Sequence, residues 1–181
     1  MSQALAPSIT QERLSLADGR LYLACVAMIL GNLALPYAFH QIPAGGRMFM
    51  PILFFTLVAG WRFGLNAALL TAVASPLASH FLTGMPGTAM LTPILLQSAL
   101  LGVLAALAGR LNRTTSFALL ALVVLANQAL NLLPTLILNG APTILPALRA
   151  HYPAMALQLF AGFAVLKGLE RFLPLGNGRE A

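Results

Sequence analysis

Residues 91–109 read Leu-Thr-Pro-Ile-Leu-Leu-Gln-Ser-Ala-Leu-Leu-Gly-Val-Leu-Ala-Ala-Leu-Ala-Gly, a stretch without one charged side chain. A bilayer core of roughly 30 Å takes about 20 such residues as a helix, so this segment reads as a membrane span. Working outward, comparable runs cover Leu65 to Leu82 and Phe117 to Leu138, then Leu21 to Phe39 and Pro153 to Phe172. A shorter run, Met48 to Gly60, contains Pro51 and is too short for a perpendicular crossing. It is expected to be short, broken or shielded by its neighbours, because lipid does not tolerate bare backbone. The expected fold is all-α: six transmembrane helices (residues 21–173) between a polar N-terminal segment (residues 1–20) and a short tail (residues 174–181).

Composition agrees. Of 181 residues, 59% are hydrophobic and 8% charged, against about 25% charged in an ordinary soluble domain. Disorder and an ordinary soluble fold are both excluded, since so few charges cannot cover a soluble surface. The single cysteine, Cys25, forbids an intramolecular disulfide and a Cys-based zinc site. The N-terminal segment lacks the basic start and short apolar core of a signal peptide.

The gaps between runs are rich in chain breakers: Gln41 to Arg47, Gly60 to Gly64, Thr83 to Thr88, Arg110 to Thr115, and Asn139 to Thr143 opening the last. With six spans, Arg13, Arg20, Arg62, Arg110, Arg113, Lys167, Arg171 and Arg179 share the side of the termini, and only Arg47 and Arg149 lie opposite. By the positive-inside rule both termini are cytoplasmic. The net charge of +6 is thereby read as topology rather than as a nucleic-acid surface.

Asp and Glu are absent from mid-span positions, and Glu170 sits near a cytoplasmic end. Ion-coupled carriers usually place carboxylates within the membrane. No metalloprotease, serine-hydrolase or phosphate-loop motif occurs either, so no catalytic residue is assigned and the chain is not expected to be an enzyme. What remains is neutral. Asn127 and Asn131 share a helix face, with Gln128 beside them; Gln97, Asn131 and Gln158 are expected at a common depth, roughly 10 Å below the outer surface. Carboxamides in hydrocarbon need partners. They either bond helix to helix or line a shared outward pocket that offers donors and acceptors to a small molecule. His40, His80 and His151 fall at outer ends or loops without ligand-pair spacing, and no metal site is assigned. Tyr37 and Tyr152 lie at interface depth, as an aromatic belt or as stacking platforms, and Trp61 reads as a boundary anchor. Small residues recur at four-residue intervals: Ala27 and Gly31, Ala68 and Ala72, Ala74 and Ala78, Ser98 with Gly102 and Ala106, Ala164 and Gly168. Such faces permit close helix approach, internally or with a partner.

Three ordered pieces carry a family resemblance. Ile42 to Arg47 followed by Met50-Pro51 is similar to a first outer loop entering a short second helix. Leu57 to Leu65 is similar to a tight cytoplasmic turn, and Ser75 to Pro86 to the end of a third helix. Together they resemble the substrate-binding S component of energy-coupling factor vitamin importers, prokaryotic inner-membrane proteins. The resemblance implies capture of a vitamin-like micronutrient from outside, with inward delivery driven by a membrane coupling subunit and two cytoplasmic ATPases; ATP is used only by those partners, and no cofactor or nucleic acid is implied. On that reading Gln97, Asn127, Asn131, Tyr152, Gln158, Tyr37 and His80 line the site, with His40 and Arg47 in the gating loop. The family's Ala-x-x-x-Ala docking contact has its nearest match in Ala27 and Gly31. The alternatives are a ligand-free membrane scaffold similar to cell-shape proteins, whose amides are helix glue, and an S component for a metal ion.

Overall fold

The computed structural model describes residues 14–39, 49–112 and 114–172, with the side chains of residues 135, 138, 139 and 141 left aside. Helix α1 is Gly19–Phe39. A 3-10 turn, Pro51–Leu53, leads into the short α2, Phe54–Phe63; α3 is Leu65–Thr83, α4 Thr88–Leu111 and α5 Phe117–Asn139. A second 3-10 turn, Ala141–Thr143, opens α6, Ile144–Ala156, which passes through a π-helical turn, Leu157–Ala161, into α7, Gly162–Phe172. Among the described residues there is no strand. Five helical rods are long and apolar enough to cross a membrane, the last being the continuous Ile144–Phe172, while Pro51–Phe63 is shorter. By length and composition this is a multi-pass membrane bundle. Its exposed large side chains, among them Leu23, Val26, Leu30, Leu69, Val73, Leu122 and Leu125, form the apolar outer face that lipid requires.

The shortest helix lies innermost. Every residue of α2 from Thr56 to Arg62 is buried, and α2 packs against α1, α3, α4 and α7. Neighbours thus shield a segment too short to span. Small residues permit the close approach. A Cβ placed on Gly60 would stand 2.6 Å from the Gly102 carbonyl oxygen, and one on Gly102 would stand 3.1 Å from the Ala68 Cβ. With Ala68, Ala72, Ser98, Gly102 and Ala106 all buried, these stripes are internal packing, whereas Ala164 is exposed and nothing lies within 4 Å of a Cβ on Gly168.

Hydrogen bonds fix the register. Cys25 beside the Ala67 carbonyl and Asn32 beside Ser75 set α1 parallel to α3. Gln128 beside His151 and Thr115 beside Glu170 set α5 antiparallel to the last rod. Arg20, Arg62, Arg110, Lys167 and Arg171 therefore gather at one end of the bundle, called here the basic end. There Glu170 accepts from both the backbone N–H and the hydroxyl of Thr115 and from Lys167 Nζ at 2.9 Å, tying the entrance of α5 to α7.

Three sequence-based expectations are corrected. Trp61 is a core residue, not a boundary anchor: it is buried with Leu57, Val58, Leu101 and Leu120, because α2 lies inside. The turn between α2 and α3 narrows to Gly64, whose φ of 89° is conformational space open to glycine and costly for other residues. The last rod begins at Ile144 rather than Pro153, so Arg149 and His151 are helical. Pro146 is compatible with this start, since first-turn N–H groups have no intrahelical acceptor to lose.

Candidate functional site

Two polar assemblies lie within the bundle. The first joins four helices and was not foreseen. Asn32 on α1 donates from Nδ2 to Ser75 Oγ at 3.0 Å and Thr56 Oγ1 at 3.3 Å, and Thr56 Oγ1 lies 3.2 Å from Ser98 Oγ. All four residues are 0% exposed. Asn32 Oδ1 accepts the backbone N–H of Phe55 at 2.8 Å. That group belongs to the first turn of α2, where intrahelical acceptors are missing. A side chain from a neighbouring span thus caps the broken helix, answering the need for satisfied backbone in lipid. With both ends of its carboxamide engaged, Asn32 serves the scaffold. The one sequence signal was its solitude: Asn32 is the lone carboxamide in an otherwise apolar span.

The second assembly holds the amides singled out above, and its members differ. Asn131 Nδ2 bonds the Asn127 carbonyl at 2.7 Å and Asn127 Oδ1 at 3.2 Å, so this pair is linked along α5. Gln128 Nε2 donates to His151 Nδ1 at 2.6 Å, joining α5 to α6 and placing the neutral ring's proton on Nε2. By contrast, Gln97 and Gln158 have no hydrogen-bond partner among the described residues. Gln97 is half-buried on the stripe of α4 that includes Ile94, Leu101, Ala105 and Ala108, which faces the core. Gln158 is only 5% exposed and lies in the π turn, which packs against α2 and α5.

The π turn accounts for the burial of Gln158. Ala154, Gln158, Gly162 and Leu166 are all buried at intervals of four. In an α-helix that spacing drifts about 40° per step. The wider π turn holds residues four apart closer to one face, and such turns are frequent at functional positions. Gly162, at its end, lets Leu57 approach to 3.3 Å of where a Cβ would stand. Helix register also spreads the amides in depth. A Cβ on Gly162 would meet Leu120; Gln158 is four residues from Gly162 and Asn131 eleven from Leu120. At 1.5 Å per residue Asn131 lies about 10 Å further from the basic end than Gln158. The expected common depth is therefore a ladder.

The other expected site residues stand as follows. His80 Nδ1 lies 2.7 Å from the Pro86 carbonyl; a carbonyl only accepts, so Nδ1 donates in this bond. Ser79 Oγ donates to the Met85 carbonyl at 2.7 Å, fixing the same turn at the end opposite the basic one. Tyr37 and Tyr152 are exposed on the outer surface of their helices. Ala27 is exposed, but Gly31 lies under the Phe55 ring, 2.5 Å from where a Cβ would stand. His40 and Arg47 lie outside the described residues. Among the described residues no three His, Cys, Asp or Glu side chains gather as metal ligands. The chain matches no family model, no curated protein and no solved structure.

Proposed function

We propose that this chain is the substrate-binding subunit of an energy-coupling factor importer in a prokaryotic inner membrane. It would use six membrane segments, with α2 held inside the others, and both termini cytoplasmic. It captures a vitamin-like micronutrient from the outer face and hands it inward with a membrane coupling subunit and two ATPases. Support comes from the ordered resemblance around residues 42–86, the charge bias, and a bundle whose interior amides are uncharged. The observation that carries the reading is Gln158. Its side chain is only 5% exposed and has no hydrogen-bond partner among the described residues, yet its amide atoms are not sealed off, so on a π turn against α2 they are free to bond a cargo.

The absence of a protein partner for Gln158 among the described residues gives a test with two readouts. Gln158→Leu removes a polar group that no described residue bonds, so the empty protein is expected to melt no lower than the native chain. At the same time, the thermal stabilisation produced by the hit from a vitamin panel should disappear, because only a ligand of the folded form raises apparent stability. If Gln158 is helix glue, the variant melts lower and no panel member stabilises either protein. The scaffold reading has its own observations, the mutually bonded Asn127–Asn131 and Gln128–His151 pairs, and a panel without a hit would favour it.

Docking on α1 is tested best at Ala27 alone. Replacing Gly31 would displace Phe55 and test packing instead. Ala27→Leu is expected to reduce co-purification with the coupling subunit severalfold at unchanged melting midpoint; unaltered assembly would remove α1 as the docking face.

A further inference from the structure

The segment before α1 folds back over the basic end. Leu14 is 7% exposed and packs with Leu21, Cys25, Ala59 and Ala67, on three different helices. Its carbonyl accepts from Asn66 Nδ2, at the start of α3, at 3.0 Å. Between Leu14 and the helix the chain is a built turn. Asp18 N–H bonds the Ser15 carbonyl at 2.9 Å, Asp18 Oδ1 caps α1 at the Arg20 N–H at 2.9 Å, and Tyr22 Oη donates to the Leu16 carbonyl at 2.9 Å.

Leu14 covers small side chains at this crossing, within a cluster whose larger members are Leu21, Met28, Ile29 and Phe63. Cys25, Ala59 and Ala67 are small, and the contact of Cys25 Sγ with the Ala67 carbonyl is long, at 3.9 Å. Small side chains leave few dispersion contacts when a larger neighbour is withdrawn. Toward the middle of the bundle, by contrast, the Asn32 network fastens α1 to α2 and α3 independently of the strap.

We propose that residues 14–18 form a releasable strap: Leu14 is its plug, Asn66 its catch, and its opening bares the Cys25–Ala59–Ala67 notch while the Asn32 network holds α1 in place. The strap is an independently opening unit of the kind that local unfolding produces. It does not rest on the importer reading, because no cargo or partner enters the geometry.

Cys25 lies under the plug and is the sole cysteine, so it reports opening directly. In the purified full-length chain, N-ethylmaleimide labelling of Cys25 is followed by intact mass. Native protein should label slowly. Asn66→Ala and Leu14→Ala should each speed labelling about tenfold, as local opening becomes more frequent, at nearly unchanged melting midpoint. Leu166→Ala, which loosens the core away from the strap, should lower the midpoint without that acceleration. Native-rate labelling in both strap variants would overturn the proposal, as would equal acceleration by Leu166→Ala. Should one strap variant fail to fold, the other, together with amide exchange at Asp18 and Leu21, decides: in the native chain these two amides exchange together and ahead of the α1 interior if the strap opens as a unit, and with that interior if it does not.

Discussion

Asn32→Ala is expected to lower stability by about 2–4 kcal/mol, more than any other single polar truncation in the bundle. Side-chain hydrogen bonds between membrane helices are usually worth much less, about 0.6 kcal/mol on average, because the separated helices find other partners. By that measure Thr56→Ala and Ser98→Ala should each cost about 1 kcal/mol or less. Asn32 differs because it accepts a backbone N–H, that of Phe55, at 2.8 Å. That donor follows the 3-10 turn Pro51–Leu53 and stands in the first turn of α2, inside four surrounding segments. Loss of the carboxamide also strips Ser75 of the Asn32 bond. Unfolding of purified variants in mixed detergent would measure the order. An Asn32→Ala variant no less stable than Thr56→Ala would show that α2 does not depend on its cap.

Gly60→Val should be costlier still, at about 3 kcal/mol or more, with failure to accumulate a well-folded protein as the extreme. A Cβ there faces the Gly102 carbonyl oxygen at 2.6 Å, the Ala105 Cβ at 3.0 Å and the Ala106 backbone nitrogen at 3.1 Å. Two of these are backbone atoms of α4, so relief requires whole helices to part, and α2 then loses contacts along its buried length. The glycines give an internal ranking. Gly102→Ala meets the Ala68 Cβ at 3.1 Å and Thr56 Cγ2 at 3.3 Å, a milder crowding. For Gly31→Ala the three nearest atoms all belong to the ring of Phe55, a side chain that can move. Gly168→Ala meets nothing within 4 Å and should be neutral or stabilising by up to about 1 kcal/mol through helix propensity. Melting midpoints of the four variants test this order; a Gly60→Val protein as stable as Gly31→Ala would mean that α2 and α4 do not cross so closely.

Much of this architecture was legible from residue order. Long uncharged runs gave the helices, since hydrocarbon accepts only internally bonded backbone. The brevity of the second run together with Pro51 announced a broken element. Residue order could not rank the amides. Asn127, Asn131, Gln97 and Gln158 look alike in sequence, yet two bond each other and two have no partner among the described residues. The Asn127–Asn131 bond follows from their i,i+4 spacing on one helix, but the burial of Gln158 depends on a π turn and on neighbours from other helices, and no local spacing signals either. Asn32 escaped notice because its partners, Thr56, Ser75 and Ser98, are spread over the chain; only packing makes them one network.

Sequence by itself determined that the chain is helical and apolar enough for a bilayer, because hydropathy and charge act residue by residue. Tertiary structure alone decided which small residues are core, that the shortest helix lies innermost, that Trp61 is buried, and that Leu14 closes the basic end. Each of those outcomes is a relation between residues far apart in the chain, set by which surfaces can approach closely enough to pack and to satisfy one another's hydrogen bonds.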